Sequence, residues 1–258
     1  MLLKEQMRSV VNLAIYAGSE IMQIYTQDFD VYTKDDSSPL TQADMKSHHI
    51  ILDGLNKLTP DLPVLSEESD EVELKNRMAW ESYWLVDPLD GTKEFVKKND
   101  EFTVNIALIY RNRPVFGVVH APALGVTYWG GGEIGAFRSY NEYEETPIHV
   151  RDQPKNSSEV IIVGSRSHFS KEFEYFVTRY PGAQIVSMGS SLKFCLIAEG
   201  AADLYPRLGL TSEWDTAAAQ AVVEGAGGKV ISLHDLVPLS YNVHSDTLLN
   251  PHFLVCSK

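Results

Sequence analysis

The residues with the most chemical content form one run, Tyr83-Trp84-Leu85-Val86-Asp87-Pro88-Leu89-Asp90-Gly91-Thr92-Lys93-Glu94-Phe95. Its aromatic and aliphatic opening has the pattern of a buried strand, and Pro88 is expected to end the ladder. Two carboxylates, Asp87 and Asp90, then stand three positions apart, ahead of Gly91-Thr92. Like charges held close repel and raise each other's pKa. A bound cation removes that conflict, and hard oxygen ligands suit Mg²⁺ far better than Zn²⁺. Other readings compete. A strand followed by an Asp-Gly turn needs no function. An aspartyl-phosphate hydrolase follows its strand with D-x-D-G-T, the first Asp being the nucleophile, and here the spacing is one residue longer. An EF-hand is disfavoured by the preceding strand and by Pro88 inside the loop. A metal-dependent phosphatase requires more carboxylates from elsewhere in the chain.

Three segments offer them. Leu62-Pro63-Val64-Leu65 reads as a short strand leading into Glu67-Glu68. Thr41-Gln42-Ala43-Asp44 opens a helix in the style of a capping box, where Asp44 taken alone is a first-turn carboxylate favouring the helix dipole. Trp214-Asp215-Thr216 starts a helix running to Glu224 and stopped by Gly225-Ala226-Gly227-Gly228. Anion-binding groups collect in the second half, where strands end. Arg166-Ser167-His168 follows one. Ser190 and Ser191 stand at a helix start, where free N–H groups favour anions, although simple N-capping also explains them. Lys193 follows two residues on, and Arg207 after Pro206 has the fork that pairs a phosphate. None of these is specific singly.

The elements that must position these groups divide into two sets. From Leu3 to Tyr25 apolar residues recur at helical spacing, and a second amphipathic helix continues behind Asp44 through Leu58. The charged segment Asp70 to Glu81 is expected to be an exposed loop or short helix. Phe102 to Tyr110 and Arg113 to Pro122 read as adjacent strands joined by a tight turn at Arg111-Asn112. Val126–Trp129 and Ala136–Arg138 flank a turn at Gly130-Gly131-Gly132, which lacks the strand-to-helix context of a phosphate loop. The first half is thus helices packed on a large antiparallel or mixed sheet. The polar stretch Asn141 to Ser158 marks a boundary, giving subdomains 1–150 and 151–258. In the second, strands at Val160–Val163, Ala183–Val186, Ala202–Tyr205, Lys229–Ser232 and Phe253–Cys256 alternate with helices at Phe173–Tyr180 and Leu192–Ala198, the pattern of an α/β unit with helices on both faces.

Composition sets outer bounds. The 258 residues, 44% hydrophobic, suffice for a substantial core. A formal net charge of −13 argues against binding a nucleic-acid polymer, which needs a basic footprint. Cys195 and Cys256 are the only cysteines, too few for a disulfide framework or zinc site, so a reducing cytoplasm is expected. There is no signal-peptide pattern and no run long enough to span a bilayer.

Taken together, Glu67-Glu68, Trp84 to Thr92, and Trp214-Asp215-Thr216-Ala217-Ala218 with its glycine-rich exit resemble the marks of the lithium-sensitive, Mg²⁺-dependent phosphomonoesterase superfamily that includes inositol monophosphatase. Tyr83 to Phe95, Gly164 to His168, Gly189 to Cys195 and Tyr205-Pro206-Arg207 are similar to its bacterial 3′(2′),5′-bisphosphate nucleotidase branch. The resemblance covers nearly the whole chain and is loose only at Gly130–Glu145 and Ser232–Leu248, regions it links to assembly more than chemistry. It implies an αβαβα sandwich with a large, mainly antiparallel sheet and a second α/β subdomain. It implies two or three Mg²⁺ ions, with Li⁺ inhibitory, held by Glu67, Asp87, the Leu89 carbonyl, Asp90 and Asp215. Asp44 and Thr92 would act together on the attacking water, and Gly91 and Thr92 N–H groups would hold the phosphate being cleaved. His168, Ser190, Lys193 and Arg207 would hold the nucleotide and its second phosphate. The implied substrate is adenosine 3′,5′-bisphosphate, a by-product of sulfate assimilation, or its sulfated precursor. The implied protein is a monomer or homodimer in the cytoplasm, some relatives lying on the inner face of the membrane. An inositol or sugar phosphate as substrate, and an inactive metal-binding regulator, are the alternatives.

Overall fold

The computed structural model describes residues 2–27, 29–33, 39–69, 76–140, 144–166 and 170–257. Helix α1 (Lys4–Tyr25) is followed by a short antiparallel pair, β1 (Val31–Thr33) and β2 (Pro39–Thr41), and by helix α2 (Gln42–Leu58). A seven-stranded sheet then runs in chain order through β3 (Val64–Ser66), β4 (Ser82–Asp90), β5 (Thr103–Tyr110), β6 (Arg113–Ala121), β7 (Val126–Gly131), β8 (Gly135–Tyr140) and β9 (Thr146–Pro147). Only β3 and β4 pair in parallel; every other neighbour is antiparallel. The link between β4 and β5 includes the short helix α3 (Thr92–Val96).

The second sheet has the order β11-β10-β12-β14-β13, from β10 (Ile161–Ser165), β11 (Gln184–Met188), β12 (Leu204–Arg207), β13 (Lys229–Ser232) and β14 (Phe253–Cys256). Strands β11, β10 and β12 are mutually parallel, and β14 pairs antiparallel with both β12 and β13. Helices α4 (Lys171–Thr178), α5 (Leu192–Ala198) and α6 (Ala217–Gly225) complete the chain. Helices α1 and α2 cover one face of the large sheet, α5 and α6 lie between the two sheets, and α4 covers the outer face of the small one. This is the five-layer αβαβα order.

Strand composition explains the layering. Along β4, Trp84 and Val86 point to the α1/α2 core, while Tyr83 and Leu85 point to the core shared with α5, α6 and the small sheet. Along β5, Val104, Ile106 and Leu108 alternate in the same way with Ala107 and Ile109. A sheet buried on both faces reads as a continuous apolar run even when antiparallel. The Arg111-Asn112 turn has positive φ at both residues, 48° and 64°, as a two-residue hairpin of matching twist requires. Helix α6 approaches the large sheet closely: a Cβ on Gly117 would stand 2.2 Å from the Ala218 carbonyl oxygen, and one on Gly225 would stand 2.5 Å from that of Gly135.

Three expectations need correction. Pro88 does not end its strand; β4 continues to Asp90 across an irregularity between Asp87 and Asp90. Within Asp70 to Glu81, residues 70–75 lie outside the described part; the expected short helix is there as a 3₁₀ turn, Arg77–Ala79, but Arg77 in it is buried, at 2% exposure, rather than exposed. Finally, Asp215 does not begin an α-helix. It ends a 3₁₀ turn, Glu213–Asp215, and α6 starts after it.

Candidate metal centre and anion-binding cleft

The irregularity in β4 builds half of the site. Asp87 pairs with Asn105 and Asp90 with Thr103, so the slack falls at Pro88-Leu89, where the missing proline N–H breaks no ladder bond. The Pro88 carbonyl accepts the Ser47 hydroxyl at 2.7 Å, and Asp87 Oδ1 accepts the Leu89 N–H at 3.0 Å. Asp90 Oδ2 accepts the Ser191 N–H at 2.7 Å and lies 2.9 Å from the Ser191 hydroxyl. The same hydroxyl is 2.8 Å from the Asp215 carbonyl and 2.9 Å from Asn105 Nδ2. Ser191 therefore ties the two halves of the chain together. It stands at the N-cap of α5, yet its side chain makes no capping bond, so the N-capping account of this serine is set aside.

Asp87, Asp90 and Asp215 converge, each offering an oxygen within 4.8 Å of the others. Burial pushes the Asp87 carboxyl well up from the ordinary range, and repulsion from Glu67, Asp90 and Asp215 adds to it. Asp215 is raised for the same reasons, burial first, then Asp90 and Glu67. Glu67 follows β3, its N–H bonded to the Val86 carbonyl at 3.0 Å, which sets it beside the end of β4. The three aspartates, with Glu67 near enough to repel Asp87 and Asp215 though outside that close group, are an unfavourable cluster alone and a hard-oxygen donor set for a divalent cation. The residues fit such an ion.

Beside the cluster, Asp44 serves two partners with two oxygens. Oδ2 accepts the N–H and hydroxyl of Thr41, both at 2.7 Å, closing the capping box of α2. Oδ1 accepts the Thr92 hydroxyl at 3.1 Å, and that hydroxyl is 3.3 Å from the Leu89 carbonyl. Burial raises the Asp44 carboxyl, opposed by its bonds from Thr41. Gly91, with φ of 89°, turns the chain from β4 into α3 and presents Thr92 to Asp44.

A cleft beside the carboxylates is lined by Asp90, Gly91, Asp215, Ser190, Lys193 and Arg207, with Tyr205 among its walls. Lys193 is buried, its Nζ donating to the Ser190 carbonyl at 2.6 Å and standing 5.5 Å from the Tyr205 ring centre. Burial lowers its pKa to about 8, Asp90 pulling the other way. Ser190 Oγ and Arg207 Nε are buried and without a hydrogen-bond partner among the described residues. Arg166 turns instead to Glu101, whose carboxylate also accepts the Gly189 N–H at 2.7 Å. His168 lies outside the described residues. Sequence reasoning missed Ser191 and Asn105 as partners of Asp90. A polar Asn inside the apolar run Phe102–Tyr110 was the available signal.

Residues 3–255 match the inositol monophosphatase family. The chain is 48% identical over 250 residues to the 3′(2′),5′-bisphosphate nucleotidase CysQ of Escherichia coli K12, covering 95% of this chain and 97% of that protein. It is 36% identical over 254 residues to the CysQ of Haemophilus influenzae, covering 96% and 91%. The crystal structure of CysQ from Bacteroides thetaiotaomicron, a bacterial member of the inositol monophosphatase family, superposes with a TM-score of 0.85 at 37% identity, over 99% of this chain and 98% of that one.

Proposed function

The chain belongs to the inositol monophosphatase family, and we propose that it is a 3′(2′),5′-bisphosphate nucleotidase, removing the 3′-phosphate of adenosine 3′,5′-bisphosphate to give AMP and phosphate in sulfur metabolism. The observation that carries the substrate class is the cleft, which joins a carboxylate cluster to a buried Lys193 and to Arg207. A substrate with two phosphates satisfies both ends: one faces the carboxylates, the other the cations. The unpartnered Ser190 hydroxyl and Arg207 Nε support the second contact, since buried polar atoms are rarely left unbonded.

Glu67, Asp87, Asp90, Asp215 and the Leu89 carbonyl hold Mg²⁺ in this reading, and Li⁺ inhibits by replacing one ion. Bound divalent ions supply Lewis-acid polarisation of the phosphoryl oxygens and a water of lowered pKa. The chain's own part is positional and protic. Thr92 holds the attacking water and passes its proton toward Asp44 Oδ1, 3.1 Å away, and the raised pKa of Asp44 makes it a better acceptor than an exposed aspartate. Gly91 and Thr92 N–H groups orient the phosphate at the start of α3. His168 is assigned to the nucleotide. Asp87 does not serve as a covalent nucleophile: it is 1% exposed and one oxygen is held by the Leu89 N–H. We also divide the chain into subdomains 1–150 and 151–258, between the two sheets, and assign it to the cytoplasm. Both cysteines are free, and no helix among the described residues is long and apolar enough to cross a membrane.

The test is a phosphate-release screen over bisphosphate nucleotides, inositol phosphates and sugar phosphates with Mg²⁺, with and without Li⁺. Activity confined to inositol phosphates would overturn the substrate. Lys193→Met should raise KM for the bisphosphate by about tenfold to a hundredfold, as loss of one charged contact does, and spare a monophosphate.

A further inference from the structure

Asp215 is held differently from the other acids of the site. It closes a single 3₁₀ turn, Glu213–Asp215, and such a turn has poor intrinsic hydrogen-bond geometry and little rigidity of its own. Its carboxylate accepts the Ser212 N–H at 2.9 Å within the turn, and the turn itself is braced by the loop before β14. The Glu213 N–H donates to the Leu248 carbonyl at 2.8 Å. Both carboxylate oxygens of Glu213 lie 2.9 Å from the Asn242 N–H. Asn242 is in turn gripped by Arg77: Arg77 Nη1 donates to Asn242 Oδ1 at 2.5 Å, and Asn242 Nδ2 donates back to the Arg77 carbonyl at 2.7 Å. Arg77 Nη2 reaches two further carbonyls of the loop, His244 at 2.6 Å and Thr247 at 3.0 Å.

All three side chains are buried, Arg77 at 2%, Glu213 at 3% and Asn242 at 3% exposure. A buried arginine and glutamate are a costly way to gain stability, because apolar residues of the same volume do as well. What such a network adds is a fixed register. The hairpin tip joins it, with Asn112 Nδ2 donating to the carbonyls of Tyr241 at 2.7 Å and Asn242 at 3.1 Å. The brace therefore spans from the large sheet, through residues 241–247, to the turn that ends in Asp215.

We propose that Glu213 and Asn242, locked by Arg77, are positioning residues that set the Asp215 carboxylate for the cation. The proposal rests on Asp215 being a metal ligand, as read above. Groups bonded directly to a ligand govern metal affinity by about tenfold to a hundredfold; Glu213 and Asn242 act one step further out, through the backbone of the turn, so an effect of several-fold to about tenfold is expected. Ser232–Leu248, expected to bear on assembly, then bears on the chemistry.

The experiment is calorimetric titration of Mg²⁺ into metal-free protein, well below its melting temperature, alongside the melting temperature itself. Glu213→Ala should weaken Mg²⁺ binding about tenfold. Glu213→Gln, which keeps an acceptor for the Asn242 N–H, should restore it to within about threefold. Asn242→Gly permits the same positive φ, 56°, and removes both side-chain bonds to Arg77; it should weaken Mg²⁺ several-fold and decides the matter if Glu213→Ala does not fold. Phe173→Leu, in the remote core under α4, is the control for lost stability and should leave Mg²⁺ affinity unchanged. Unaltered Mg²⁺ affinity in a folded Glu213→Ala or Asn242→Gly protein, while Asp215→Asn abolishes binding, would overturn the proposal. Unaltered affinity in Asp215→Asn would overturn the metal-site reading instead.

Discussion

Asp87 and Asp90 belong to a strand in the middle of a sheet; Asp215 belongs to a turn. The first pair is fixed by ladder bonds to β5 on either side of the irregularity, backed by Trp84 and Val86 in one core and Tyr83 and Leu85 in the other. The Asp215 carboxylate accepts the Ser212 N–H, but the turn around it leans on groups far off in sequence: the Asn242 N–H donates to the Glu213 carboxylate, and the Asn250 side chain donates to the Thr216 hydroxyl at 3.1 Å. If these acids share one cation, as proposed, the difference teaches that such a site can be half scaffold and half adjustable. Backbone ladders tolerate the loss of one side chain, whereas a turn held by side chains does not.

The largest effect should come from removing the acids themselves. Asp90→Asn and Asp215→Asn should each cut phosphate release by about a thousandfold or more, since divalent ions supply several kcal/mol of the acceleration. If Asp215→Asn retains near-normal activity, the two regions are not partners in one site. Next is acid stability in the sheet-borne half. Burial lowers His120 from 6.5 to about 4, so between those values the unfolded chain binds the extra proton. Stability should therefore fall with pH across that window by about 3 kcal/mol and level off below it. Urea unfolding against pH, flattened in His120→Gln, is the check.

Gly117→Ala addresses the junction of the two regions, because its Cβ would collide with the Ala218 carbonyl at 2.2 Å. Overpacking of this kind should destabilise by about 1–3 kcal/mol, and by lifting α6 it should weaken cation binding as well. Intact affinity would mean that Asp215 is positioned independently of α6. The smallest effect has the opposite sign. Asp87→Asn should stabilise the metal-free protein by about 1 kcal/mol, since burial and three neighbouring acids all penalise its charge. It should also abolish the rise in melting temperature expected of the unsubstituted chain on adding Mg²⁺.

Much of this was legible in the residues. The capping box at Thr41-Asp44, the turn at Arg111-Asn112 and the helix Leu192–Ala198 follow from local chemistry, and each lies where that chemistry puts it. The irregularity at Pro88 was not legible, because a proline that breaks one ladder is accommodated when the pairing shifts around it. Ser191 misled for a related reason: its N-cap position is real, but a carboxylate from the other half of the chain competes for its hydroxyl. The buried role of Arg77 was hidden inside a charged segment, since its partners, Asn242, His244 and Thr247, are all distant in sequence.

The brace around Glu213 has a consequence for biosynthesis. Its members Asn242 and Leu248, with Asn250 behind Thr216, follow the turn in the chain and so are synthesised after it. Until they emerge, the turn carrying Asp215 has only Ser191 and its own Ser212 N–H to hold it, whatever the large sheet has already accomplished. A nascent chain would then own Glu67, Asp87 and Asp90 before Asp215 is set in usable form, so hydrolytic competence would arrive nearly all at once, when that later loop docks.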